Sequence, residues 1–294
     1  MERKGFTLVE LLVVIAIIAL LMGILMPALA RVRAIAFRLV CGTNLSGIGK
    51  AMLVYANDYD DEFPRAGYGA NPKLAALLPD WSANTRAAAF GTENKVTITS
   101  SFYLLVKFAE VTPKSFICKS DSGAKEFKLS YFNVTNKELV DVWDFGNTPS
   151  EYCSYSYHHP YNVYALTTSS DPGMAVAADR NPWMKPPGAE AKTDSDWATY
   201  CDGINKNDST KIKMGNSIAH QEDGQNVLFV DSHVDFEKRP YCGVDDDNIY
   251  TRLANTSEDR RIGNRPPPKE TGSVGCPLDR LDSYLLNNIA TATR

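Results

Sequence analysis

The sequence predicts an α+β protein: a long apolar N-terminal helix packed against a globular, antiparallel β-rich head. Three observations carry this. Phe6 to Ala30 is a 25-residue apolar run with one charge, Glu10. An apolar stripe at helical spacing continues beyond it, through Val32, Ile35, Leu39, Leu45, Ile48, Met52, Tyr55 and Tyr59. Thereafter helical periodicity is scarce, and short β-rich runs alternate with Gly, Pro, Asn and Asp.

The elements follow in order. Residues 1–5, MERKG, form a polar, basic leader. Residues 6–30 form the first helical segment. About 20 apolar residues span a bilayer at 1.5 Å per residue, so the run is long enough. A lone carboxylate there costs roughly 2.5–3.5 kcal/mol on insertion scales, so Glu10 calls for a partner. A cleaved secretory signal fits less well, although Ala28-Leu29-Ala30 resembles its cleavage site. Its apolar core is about 7–15 residues and carries no internal charge. An ordinary anchor leaves Glu10 unexplained. Arg3 and Lys4 before the run and Arg31, Arg33 and Arg38 after it leave the orientation open.

Residues 31–58 continue as an amphipathic helix. Pro27 is expected to kink or loosen it. A break is expected near Gly42-Thr43-Asn44, with Thr43 or Asn44 capping a new helix. Gly42 to Lys50, GTNLSGIGK, lacks the lysine and hydroxyl spacing of a phosphate loop. Residues 59–265 are expected to form the head, with strands at Val96–Thr99, Ser101–Phe108, Ser115–Cys118, Cys153–Tyr157, Val163–Thr167 and Met174–Ala178. A hairpin follows at Asn226–Val230 and His233–Phe236, turning at Asp231-Ser232. Residues 266–294, opening on Pro266-Pro267-Pro268, are expected to be a tail.

The leader and helix together resemble a known signal. Lys4 to Ile18, KGFTLVELLVVIAII, is similar to the class III signal of type IV pilins and type II secretion pseudopilins, the G type among them. The resemblance implies cleavage by a prepilin peptidase after Gly5, N-methylation of Phe6, and an assembly role for Glu10. It also implies an apolar helix retained as filament core. In such a filament the Glu10 carboxylate meets the Phe6 ammonium of a neighbouring subunit, a strong pairing in a low dielectric.

A second resemblance lies near the C-terminus. His220 to Val234, HQEDGQNVLFVDSHV, is similar to the H-x(9)-D-G element of a group of pilin-like proteins. It departs twice: ten residues separate His220 from Asp231, and Ser232 stands where that element has glycine. The cysteine before Asn44-Leu45, the Phe116-Ile-Cys-Lys-Ser-Asp121 segment and Asp246 to Thr251 also match that group.

The resemblance implies self or paralogous pilins as partners, together with the peptidase and an inner-membrane assembly platform with its ATPase. It places the chain in a bacterial inner membrane, single-pass, with the head in the periplasm or on a surface filament. The alternative is an anchored binding module for carbohydrate or protein, for which Trp81, Trp143, Trp183 and Trp197 argue. A weaker one is an extracytoplasmic enzyme cut after Ala30, and no nucleophile elbow, kinase set or metalloprotease helix supports it. The net charge is −4, and −7 beyond residue 40 (26 basic, 33 acidic), which lowers the nucleic-acid reading, since that needs a basic footprint, without removing a local basic patch; no nucleic acid is expected as partner.

Six cysteines, Cys41, Cys118, Cys153, Cys201, Cys242 and Cys276, are disulfide candidates in an exported domain. Cys41 with Cys118 would tie helix to head, and Cys201 with Cys242 would brace the His220 hairpin. None has C-x-x-C spacing, which argues against a zinc ribbon. His158 and His159, adjacent on a strand, point to opposite faces and suit no shared metal; His220 is expected to brace a loop. The cofactor expectation is calcium, which some major pseudopilins hold in a C-terminal loop. Asp245, Asp246, Asp247 and Asn248 offer hard oxygens, and Asp58, Asp60, Asp61 and Glu62 form a second cluster.

The mature N-terminus separates these routes. N-terminal mass spectrometry of exported protein is expected to find methylated Phe6. Arg31 would mean ordinary secretion, and Met1 an unprocessed anchor.

Overall fold

A computed structural model describes residues 7–68, 72–161, 163–267 and 275–288. Gly5 and Phe6 lie outside the described residues. The first element, α1 (Leu8–Asp58), is one uninterrupted helix of 51 residues, about 75 Å long at 1.5 Å per residue. It opens with a capping box. The Thr7 hydroxyl accepts from the Glu10 amide at 3.3 Å, and the Glu10 carboxylate accepts from the Thr7 amide at 2.8 Å. Residues 7–33 are exposed on every side. From Cys41 onward one stripe is buried: Cys41, Leu45, Ile48, Gly49, Met52, Tyr55 and Ala56.

The expected break at residues 42–44 does not occur. Thr43 donates its hydroxyl to the Leu39 carbonyl at 2.9 Å, one turn back, and caps nothing. Asn44 donates to the Ile117 carbonyl at 3.1 Å and lies 3.3 Å from the Tyr155 hydroxyl. Pro27 is also carried within the helix. Tertiary packing overrides glycine's weak propensity here. At Gly49 the helix comes so close to the head that a β-carbon would lie 2.6 Å from Leu228 Cδ1.

The head begins with a small parallel pair, β1 (Lys73–Leu74) and β2 (Lys95–Val96), flanking α2 (Arg86–Phe90). Next comes α3 (Ile98–Phe108), where strands were expected. Every residue from Ile98 to Val106 is buried, and a short apolar run such as Phe102 to Val106 cannot be told from a buried strand by its pattern alone. A second capping box, Thr97 with Ser100, starts this helix. Two further runs are not strands either. Pro113–Phe116 is a 3₁₀ turn, and the Val163–Thr167 run contributes only a bridge between Thr167 and Glu62.

The main sheet is antiparallel throughout, in the order β6-β5-β4-β3-β7. Its strands are β3 (Tyr155–His158), β4 (Ala175–Asp179), β5 (Gln225–Phe229), β6 (Val234–Glu237) and β7 (Leu285–Leu286). Residues read as tail thus supply an edge strand, with Tyr284, Leu285 and Leu286 fully buried. Between β4 and β5 lie α4 (Asp194–Lys206) and α5 (Ser209–Ile212). The helix α4 escaped the sequence reading, although Thr193 and Asp196 form its capping box and Trp197, Tyr200 and Ile204 share one face.

The sheet is covered on both faces. Tyr155, Tyr157, Val176 and Leu228 pack toward α1 and α3. Ala175, Val227, Phe229 and Leu285 pack toward Trp183, Tyr200, Ile204 and Ile212. Small alanines in β4 let the two layers approach its centre. Two buried ionic groups sit within this framework. Arg180 reaches Asp121 at 2.9 Å and the Cys153 carbonyl at 2.7 Å. Asp144 is fully buried, and burial outweighs the hydroxyl of Thr97 to lift its carboxyl to about 6.

The close approach at Gly49 gives a direct test. Gly49→Val is expected to destabilise the full chain in detergent by about 1–3 kcal/mol, the cost of overpacking a filled core. At exposed Gly47 a β-carbon meets nothing within 4 Å, so Gly47→Val should change stability by only about 0.5 kcal/mol. Equal thermal midpoints for the two variants would refute this packing account.

Candidate functional site

Two regions concentrate the chemistry: the uncovered half of α1 and the place where its second half meets the head. In the first, Glu10 is exposed, and among the described residues its carboxylate is engaged by Thr7, through its amide at 2.8 Å and its hydroxyl at 2.7 Å. Both partners lie on its own helix, so nothing in the described head covers or pairs this charge.

In the second region α1 is held by polar contacts as well as by packing. Arg38 donates to Asp223 at 2.6 Å and lies 4.6 Å over the Phe236 ring. This ion pair holds the Asp223 carboxyl below its usual range. The Tyr155 hydroxyl donates to the Cys41 carbonyl at 3.4 Å.

At the centre of this junction four side chains converge: Cys41, Cys118, Asp179 and His220. Each comes from a different part of the fold. Cys41 lies on α1, and Cys118 follows the 3₁₀ turn Pro113–Phe116. Asp179 ends β4, and His220 closes the 3₁₀ turn Ile218–His220 before β5. All four are buried, and their ligand atoms all lie within 4.8 Å of one another. Among the described residues this is the only such gathering of three or more His, Cys, Asp or Glu ligands.

The geometry inside the group is tight. His220 Nε2 lies 3.1 Å from Asp179 Oδ2 and 3.7 Å from Cys118 Sγ. Asp179 Oδ2 also accepts from the Asn226 amide at 2.6 Å and its side-chain nitrogen at 3.0 Å. Asp179 Oδ1 is buried without a hydrogen-bond partner. Burial disfavours an imidazolium at His220, but the Asp179 carboxylate and the Cys41 sulfur outweigh it and raise the imidazole to about 9. Hydrogen bonding from Cys118 draws the Cys41 thiol down to about 6, and the same contact pushes Cys118 up.

The sequence pointed to three of these four. Cys41, the Cys118 segment and His220 were each singled out, and the fold brings them together. Asp179 was missed; its available signal was a charged Asp-Arg pair closing the buried run Met174–Ala178. The pair splits its duties, Asp179 toward the cysteines and Arg180 toward Asp121, three residues after Cys118. All six cysteine sulfurs are unlinked: Cys153 and Cys242 lie against backbone carbonyls of Tyr155 and Pro240, Cys201 is half-buried, and Cys276 is exposed.

The remaining expected residues behave differently. Asp231 lies in the β5–β6 turn, where it accepts from the His233 amide at 3.1 Å, and Ser232 has φ +70°. The extra residue between His220 and Asp231 falls beside a loop with Gln221 and Glu222 at φ +59° and +60°. Asp245 and Asp246 are exposed, whereas Asp247 and Asn248 turn inward. Asp247 accepts from the Ser283 amide at 2.7 Å, and burial lifts its carboxyl to about 8. Asn248 donates to the Tyr200 hydroxyl and the Arg261 carbonyl. The four do not converge. His158 and His159 are both buried, and desolvation lowers them to about 3 and about 4. Trp81, Trp143 and Trp183 are buried as well; Trp197 is half-buried in an edge-on contact with Trp183 at 4.9 Å.

A family model described as the prokaryotic N-terminal methylation motif matches residues 1–26. No curated protein and no solved structure matches the chain. The N-terminus therefore carries a prepilin-type signal, and it leads into the long apolar helix.

Ser232 offers a test of the hairpin. A left-handed backbone costs a non-glycine residue about 1–2 kcal/mol, against about 0.5–1 kcal/mol for glycine's extra freedom in the unfolded chain. Ser232→Gly should therefore raise stability by up to about 1 kcal/mol, read as a thermal midpoint higher by a few degrees. A lowered midpoint would show that the serine side chain matters more than the strain.

Proposed function

We propose that the protein is a structural subunit of a type IV pilus-like or type II secretion pseudopilus filament. On this reading a prepilin peptidase cuts after Gly5 and Phe6 is methylated. The chain waits in the inner membrane with its head in the periplasm. It then joins copies of itself or paralogous pilins through α1, driven by an assembly platform and its ATPase. The observation that carries the reading is the methylation-type signal placed directly on a membrane-length helix with no covering face. A helix apolar all round must be buried by lipid or by other helices. A lipid-to-filament exchange supplies both in turn.

The continuity of α1 into the head supports the same role. The apolar part, about 35 Å long, and the buried part belong to one rod, so the head follows the filament core without a hinge. A binding-module role loses its main argument, because three of the four tryptophans are buried and the fourth packs on one of them. The prepilin-type signal likewise favours a structural role over an enzymatic one.

Glu10 tests the assembly chemistry. Glutamine retains the capping-box pattern with Thr7 but carries no charge; alanine loses both. Glu10→Ala and Glu10→Gln are both expected to be cleaved, inserted and yet absent from sheared filaments. Parental filament yield from Glu10→Gln would assign Glu10 to helix capping and remove the charge-pairing role.

A further inference from the structure

We infer that Cys41, Cys118, Asp179 and His220 form a closed structural site for one tetrahedral transition-metal ion of the zinc type, which clamps α1 to the head. The geometry points there first. Zinc takes four ligands at about 2.3 Å for sulfur and about 2.0–2.2 Å for nitrogen and oxygen. A regular tetrahedron with those bonds has nitrogen–sulfur edges near 3.6 Å and nitrogen–oxygen edges near 3.3 Å. The separations of 3.7 Å from His220 to Cys118 and 3.1 Å from His220 to Asp179 match these edges. All four donors fall inside the same 4.8 Å envelope.

The donor chemistry points the same way. Two sulfurs and an imidazole suit zinc and reject calcium or magnesium, which take oxygen. Two thiolates, one carboxylate and a neutral imidazole bring three negative charges to a dication in a buried place, where unpaired charges are costly. Asp179 adds to this: it is fully buried and offers two oxygens to the site, Oδ2 at 3.1 Å from His220 Nε2 and Oδ1 with no hydrogen-bond partner. The supporting shell is present too. Asn226 fixes the carboxylate through two donors, and Arg180 with Asp121 pins the Cys118 loop beside the end of β4. With four protein ligands and all of them buried, the site is closed, as structural sites are, and keeps no open position for catalysis. A Cys41–Cys118 disulfide would use only two of the four donors.

The consequence is mechanical. The ion joins the shaft, the loop after residue 117, the central sheet and the turn before the hairpin at a single point. It would hold the shaft to the head independently of whether the chain enters a filament.

The test uses the full chain purified in detergent without a metal-affinity tag. Elemental mass spectrometry should find close to one zinc per chain, lost in Cys118→Ser and His220→Ala and retained in Cys201→Ser. Because those variants risk misfolding, the parental protein is also exchanged with cobalt. A thiolate-to-cobalt charge-transfer band that zinc bleaches, and that calcium leaves unchanged, is expected. Absence of zinc from the parental protein together with no cobalt band overturns the site. Recovery of a Cys41–Cys118 disulfide peptide on non-reducing digestion overturns it as well.

Discussion

The structure depends on how the second half of one helix is buried. α1 is a single rod, but its two halves live in different surroundings: residues 7–33 keep no protein cover, and residues from Cys41 onward lose a whole face to the head. A glycine-rich stretch in isolation would fray, since helices draw most of their stability from packing. Here Gly49 permits contact with Leu228, Asn44 ties the helix to the Ile117 carbonyl, and Arg38 closes on Asp223. Residues that look like helix breakers in one dimension are what allows the rod to lie flat on the sheet in three.

That contrast explains what could be read from the sequence and what could not. The apolar N-terminal half announces itself by length and composition, and Glu10 stands out because everything around it is apolar. Strands β4 and β5 and the turn at Asp231 were legible because turn-forming residues bound them. The α3 segment was not, because Phe102 to Val106 is a short continuous apolar run, and Ser101–Phe108 reads equally well as a strand. Leu285–Leu286 failed for a different reason: a two-residue strand derives its identity from its partner Tyr157–His158, which lies far away in sequence.

The junction site shows the same limit. Cys41 and Cys118 were paired as a candidate disulfide and His220 was noted apart from them, yet nothing along the chain shows that all three meet. Metal motifs are readable when ligands share one loop or one helix; here each donor arrives on a separate element. Asp179 is easily passed over for the further reason that a charged residue at a strand end usually faces water, whereas this one is fully buried against Asn226 and His220. The oxygen-rich run at Asp245 gives the opposite lesson. Four neighbouring oxygen-bearing residues looked like a ligand set, but the backbone turns two of them outward and spends the other two on internal hydrogen bonds.

Strand β7 has a bearing on how the molecule comes into being. It fills the edge beside β3 with Leu285 and Leu286, which lie far beyond β3 in sequence, so the sheet stays incomplete until that distant segment has been delivered. Pairing across such sequence separation is slow to form. Until it forms, the Tyr157–His158 edge is open to strands from other chains. A nascent copy is therefore most adhesive until Leu285 and Leu286 pair with that edge, and β7 serves to seal it.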